Sequence, residues 1–270
     1  MKNWIYILLG LFLLGSCTKD IDIELDEGDQ RLVIESWFTT EEKVHEVKLT
    51  LSSNYFDETV TPVATGANVK ISGGGEEFVF TETSPGIYHS EPTAHASFKT
   101  EYTMEIDYEG TTYTATDYCD TVPMMDDFIM WPEMEDGEIK NYIALIWSYE
   151  APGYGDYYAW RLKVNGEYLT DTLHQITFAA DEYIGDGLYF EGWPIDNVRG
   201  SDLNSGDIIT MEQNALSQKA YEAYLAIMQE TEWRGGLFDA PPSNVPSNFD
   251  NNAMGLFVVS STHVLEYTIP

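Results

Sequence analysis

The residues with which this chain could do chemistry are 2 cysteines, 5 histidines and 46 carboxylates, set against 13 basic side chains. The histidines are His45, His89, His95, His174 and His263. No two stand at i,i+4, and His45-Glu46 lacks the second histidine of a zinc-protease helix. No cysteine pair is available to hold zinc. No Gly-x-Ser-x-Gly elbow presents a nucleophile. Gly73-Gly74-Gly75 leads into a strand, so it reads as a hairpin turn and not as a phosphate loop. Carboxylates are so abundant that no glycosidase-like pair stands out among them. The sequence therefore predicts no catalytic residue and no cofactor, and the chain is not read as an enzyme.

Asp202-Leu203-Asn204-Ser205-Gly206-Asp207 places oxygen side chains near the spacing of a calcium loop. Its sixth position is Asp207, where such loops need glycine, and its twelfth is Gln213, where they need a bidentate glutamate. It reads as a polar turn entering Ile208-Ile209, and no metal is expected. Aromatic side chains offer a different chemistry, stacking on sugar rings or anchoring a partner protein. Trp131, Tyr189, Phe190 and Trp193 lie beside proline or glycine and are candidates, with core packing as the competing reading. Phe238 and Phe249 are candidates too, in the segment 237–257, where Pro241, Pro242 and Pro246 restrict the backbone and lower the ordering cost of binding.

Cys17 has its own context. Residues 1–16 carry one charge, Lys2, then an apolar run ending in Gly15-Ser16, the form of a secretory signal. The run is about half of the roughly 20 residues a membrane-spanning helix needs. Leu14-Gly15-Ser16-Cys17 resembles a bacterial lipobox, in which the cysteine is acylated and becomes the first mature residue. Each buried acyl methylene contributes about 0.8 kcal/mol, and more than one chain makes the anchor stable. The competing reading is an ordinary signal peptide with an incidental cysteine. Residues 17–30 read as an acidic tether. Its Lys19-Asp20, followed by further acids, resembles the signal of Bacteroidota-type lipoproteins destined for the cell surface. With Cys17 assigned to an anchor, Cys119 has no partner for a bridge and is expected to be buried as a small hydrophobe.

A net charge of −33 argues against nucleic acid, whose phosphates need basic partners, and against a basic patch on anionic lipid. The elements that must position any site are strands. Val47, Leu49 and Leu51 alternate with polar residues, as do Val69 and Ile71, and Tyr102, Met104 and Ile106. Pro85-Gly86 and Glu109-Gly110 turn the chain between such runs. Residues 31–120 are expected to form an N-terminal β-sandwich domain. Residues 121–138, rich in acids and proline, read as a boundary. Residues 121–270 are expected to form a second β-sandwich domain, with Asn165-Gly166 as a hairpin turn and one helix over 217–232. Ser217 is its N-cap, and Tyr221, Tyr224, Leu225 and Met228 are its apolar stripe. The fold class is thus mainly β: two immunoglobulin- or fibronectin III-like sandwiches with one helix in the C-terminal half. The fibronectin type III likeness rests on the tryptophan strand, the Pro-Gly loop and the Tyr-rich strand of residues 142–164.

Three stretches carry a wider resemblance. They are Leu32-Val33-Ile34-Glu35-Ser36-Trp37; Asp207-Ile208-Ile209-Thr210 running into 216–224; and Pro242-Ser243-Asn244-Val245-Pro246-Ser247-Asn248 followed by Gly255-Leu256-Phe257. The chain resembles an uncharacterised Bacteroidota outer-membrane lipoprotein family, a domain of unknown function, found beside TonB-dependent receptors. Ser243 stands where that family usually has glycine, and Asp250-Asn251-Asn252 replaces a glycine-rich turn. The resemblance implies a role beside a transport barrel and supplies no catalytic residues. The expectation is an outer-membrane, surface-facing lipoprotein, acting as accessory or substrate-capture subunit of a TonB-dependent receptor. The alternative is a stand-alone glycan-binding or adhesive surface lipoprotein.

Overall fold

The computed structural model describes residues 29–53, 61–169, 173–232 and 245–270. The leader, Cys17, most of the tether and Phe238 lie outside the described residues. The structure is mainly β, 56% strand and 11% helical. No described helix is long and apolar enough to cross a membrane.

The first run of strands is β1 (Leu32–Thr39), β2 (Glu46–Leu51), β3 (Asn68–Gly73), β4 (Glu76–Ser84), β5 (Ile87–His89), β6 (Thr100–Tyr108) and β7 (Thr111–Cys119). There follow β8 (Met125–Glu135), β9 (Glu138–Tyr149), β10 (Tyr157–Val164), β11 (Glu167–Tyr168), β12 (Thr177–Ala180) and the one-turn helix α1 (Asp181–Ile184). The chain closes with β13 (Tyr189–Arg199), β14 (Ile208–Leu216), helix α2 (Gln218–Glu232), β15 (Met254–Ser260) and β16 (Thr262–Thr268).

The alternation read from the sequence decides which side of each early strand is dry. Ile34 and Phe38, Val47 and Leu49, Val69 and Ile71, and Met104 and Ile106 all enter one core. Burying each such side chain contributes about 1.5–3 kcal/mol. The strands form one eight-stranded sheet, in the order β15-β1-β2-β5-β4-β3-β6-β7. Where the sequence predicts a sandwich over 31–120, this single sheet curls around its own core and is nearly barrel-like. Alternation specifies a buried face; it does not say whether a second sheet or the same sheet, bent round, covers that face.

The two end strands of this sheet meet at a seam closed by side chains. Val259 N–H donates to Asp117 Oδ2 at 2.8 Å. Asn248 pairs with the backbone of Phe257 at both ends of its amide, Nδ2 to the carbonyl at 2.6 Å and Oδ1 from the N–H at 3.0 Å. A side-chain amide here imitates a ladder partner. Strand β15 reaches this sheet from far along the chain and pairs with β1 in parallel, Trp37 opposite Val258. Gly255 has φ 91°, and a Cβ there would lie 1.9 Å from the Ile34 carbonyl oxygen, so no other residue permits this approach.

The expected boundary region is itself structured. It holds β8 and a hairpin whose turn, Asp136-Gly137, has both φ values positive, 53° and 87°. The sheets β13-β9-β8 and β11-β10-β14-β16 turn their apolar faces to a second core of Met130, Ile146, Trp160, Leu162 and Met211. Strand β12 adds to β10 beside β11. Helix α2 begins as the sequence predicts, with Ala220 N–H donating to Ser217 Oγ at 3.2 Å. It lays Ala220, Tyr221 and Ala223 on Leu256, Val258 and Ala159. Tyr224 also bonds Trp37, so the helix packs on β1, β10 and β15 together.

Candidate functional site

Strand β10 is the axis of the candidate site. Tyr158, Trp160 and Leu162 point into the second core, while Tyr157 and Ala159 face the helix. At its N-terminal end the strand is entered through Glu150-Ala151-Pro152-Gly153-Tyr154-Gly155-Asp156, where Gly153 and Gly155 take positive φ. Across from this loop, β12 runs directly into α1 at Asp181. Backbone bonds lace the two loops: Glu150 N–H to Leu188 O at 2.8 Å and Asp181 N–H to Asp156 O at 3.1 Å.

This lacing brings Glu150, Asp156 and Asp181 together, each with a carboxylate oxygen within 4.8 Å of the others. Asp181 is 0% exposed, Glu150 is 2% exposed, and Asp156 is half-buried. Asp181 Oδ2 accepts from the N–H groups of Gly155 at 2.8 Å and Asp156 at 3.2 Å. Its Oδ1 is buried without a hydrogen-bond partner. Glu150 Oε1 accepts from the Tyr158 hydroxyl at 3.2 Å, and Oε2 from Gly187 N–H at 2.6 Å. Burial, then the charges of Glu150 and Asp181, push the Asp156 carboxyl up to about 6. Three acids facing one another with hard oxygen donors can hold a cation or share protons. They cannot form a nucleophile–base pair of the serine or cysteine kind.

A small cleft lies against Glu150, walled by Tyr158, Trp160, Ile184, Phe190 and Gln213. Trp160 Nε1 donates to Gln213 Oε1 at 2.9 Å, and Gln213 Nε2 donates to Pro123 O at 2.8 Å. Phe190 stacks on Trp193 at 4.7 Å, and Trp193 meets Trp160 edge-on at 5.4 Å. Phe190 and Trp193 are thus half-buried beside this cleft, with Tyr189 half-exposed next to them.

Trp131 belongs elsewhere. It pairs with Ile143 on β9 and Tyr189 pairs with Tyr149, so about 20 Å of strand separates them. Trp131 is 57% exposed, at the base of a β8–β9 arm whose residues 131–140 are all exposed. Phe249 is 8% exposed inside the first core, with its backbone bridged to Ala115, so its ring packs there and does not face a partner. Cys119 is fully buried, and burial, then Asp117 and Asp120, push its thiol up to about 12. In the Asp202–Asp207 loop, Asp207 accepts from Asn204 N–H at 2.6 Å and from Asn165 Nδ2, in the turn after β10, at 2.9 Å.

Another buried carboxylate sits beside the middle of β10. Glu212 on β14 is opposite Arg161 and is 1% exposed. It pairs with Lys163 and accepts from the Tyr168 hydroxyl at 3.0 Å. The Arg161 guanidinium lies 3.8 Å from the Tyr168 ring centre and 4.5 Å from that of Trp37. Burial alone would raise the Glu212 carboxyl; Arg161 and Lys163 outweigh it and hold the group below its ordinary value.

The acidic trio escapes sequence reading because its members are scattered among 46 acids. One signal was available: Glu150 stands three residues after the apolar run Ile143–Trp147 and opens a loop punctuated by glycines. Over residues 18–266 the chain matches the family described as Domain of unknown function (DUF4249), and it belongs to that family. No curated protein matches it.

Proposed function

We propose that this member of the DUF4249 family is a lipid-anchored lipoprotein of the outer membrane, facing the cell exterior, and an accessory subunit that captures substrate for a TonB-dependent transport receptor. The observation that carries the reading is Leu14-Gly15-Ser16-Cys17 at the end of a short apolar leader, followed by an acid-rich tether. The family match beginning at residue 18, directly after Cys17, supports a leader distinct from the domain. The exposed β8–β9 arm supports a protein partner. It offers Trp131, Met134 and Ile139 to solvent, between Glu133, Glu135 and Glu138. Exposed aromatic and apolar side chains on an uncovered arm are the material of interface anchors. On the same reading the two sheets that share the second core form a sandwich of the immunoglobulin or fibronectin III kind, supported by the facing apolar surfaces.

The test joins anchor and partner. Cells expressing the native chain, Cys17→Ser, or the double variant Trp131→Ala, Met134→Ala are labelled with a clickable fatty acid, and the tagged lipoprotein is purified. The native chain is expected to carry label and to bring down a large β-barrel. Cys17→Ser is expected to lose the label, and the double variant to keep the label and lose the barrel. Undiminished label on Cys17→Ser refutes the anchor. Absence of any barrel, with binding on a glycan array, replaces the transport role with the stand-alone adhesive one.

A further inference from the structure

We propose that Glu150, Asp156 and Asp181 bind one calcium ion, and that this ion ties together the loops 150–156 and 181–188. The site is independent of the transport reading. The spacing fits a shared ion. Oxygens bound to calcium at about 2.3–2.6 Å lie no more than about 5 Å apart, and the three carboxylates here bring oxygens within 4.8 Å of one another. A second observation points to a missing ligand. Asp181 is 0% exposed; two backbone amides satisfy one oxygen, and the other has no hydrogen-bond partner. A buried carboxylate oxygen with neither donor nor cation is costly, and a bound cation removes that cost. The charged groups bearing on Asp156 are Glu150, Asp181 and Asp120, all of one sign.

The donor set selects the ion. It is all oxygen, without histidine or cysteine, which favours a hard cation over zinc. Magnesium keeps several of its waters, and the full burial of Glu150 and Asp181 leaves little access for them. Calcium accepts more carboxylate and carbonyl oxygens in a flexible shell. The loops it would join carry Tyr154 and Tyr183, 73% and 80% exposed, so the ion would fix an aromatic surface beside the Phe190 cleft.

The full chain, held in detergent and stripped with EDTA, is titrated with calcium chloride while heat of binding and melting temperature are followed. A saturable single-site isotherm is expected, with a melting temperature that keeps rising with free calcium, as native-state ligands cause. Asp181→Asn is expected to weaken binding at least tenfold, and Asp202→Ala to leave it unchanged. Hydrogen exchange on the native chain supplies a readout that needs no variant: calcium should slow amides in 150–156 and 181–188, and not in 202–207. The proposal is overturned by no saturable response up to about 10 mM, beyond the weakest extracellular calcium modules. It is equally overturned by a shift that survives Asp181→Asn in a folded variant, by protection confined to other segments, or by an equal response to magnesium.

Discussion

The trio of Glu150, Asp156 and Asp181 lies at the start of β10, and Glu212 lies beside its middle, about 17 Å along the strand from Asp156 to Arg161, the register partner of Glu212. Both places withdraw carboxylates from water, and the chain handles them in opposite ways. Around Glu212 it supplies its own cations, Lys163 and Arg161, with Tyr168 donating to the same carboxylate. Around Asp181 it supplies two backbone amides and two more acids. The first arrangement matches the carboxylate with cations of the chain itself, although Arg161 Nε is left without a hydrogen-bond partner. The second leaves an acceptor without a partner. Buried charge of the first kind holds structure, and buried charge of the second kind is an invitation to a ligand.

The largest effect should come from breaking the charge-matched site. Lys163→Met leaves Glu212 buried with its charge only partly matched, and removing one member of a buried pair costs about 3 kcal/mol or more. Denaturant unfolding would measure it; a loss below about 1 kcal/mol would mean that Lys163 contributes little to Glu212. A smaller effect separates the sites by pH, in metal-free buffer. Glu212 has its folded pKa lowered, so its contribution is full above the unfolded value of about 4.3 and lost as pH falls through the folded value. Asp156 is raised to about 6 from an unfolded value of about 3.9. Its protonated form is the one folding favours, so stability should fall as pH rises between about 4 and 6. Glu212→Gln should flatten the acid limb, and Asp156→Asn the limb between those two values, in unfolding curves taken across pH. The smallest effect is a change of sign. Asp181→Asn in EDTA should cost nothing, or stabilise by up to about 1 kcal/mol, because the new amide can donate toward Glu150 and Asp156. A clear loss of stability would show that the trio is already satisfied without an ion.

Much of the scaffold was legible, for local reasons. The alternation through Val47 and Leu49 and through Met104 and Ile106 specifies a dry face whatever covers it. Ser217 caps a helix because its hydroxyl reaches a first-turn amide, and that needs no distant residue. Cys119 is buried, as an unpaired cysteine at a strand end suggests. What was not legible depends on where strands end in space. Glu150 and Asp181 meet only because β9, β10 and α1 have neighbouring ends. Phe249 has the look of a surface anchor in a proline-rich segment, yet the seam of the first sheet draws it beside Ala115. The Asp136-Gly137 turn was hidden by its acidic neighbours, which suit an exposed arm as well as a linker.

The parallel pairing of β1 with β15 bears on how the chain matures. The cost of closing a loop grows with its length, and topologies dominated by distant contacts fold slowly. A chain that emerges N-terminus first therefore holds β1 with one edge open until residues 254–260 arrive. An open edge is a template for pairing with another molecule. The Asn248 and Asp117 seals wait on the same strand, since both bond the backbone of β15. The first core to be synthesised is closed late, only once the strand at residues 254–260 has been delivered.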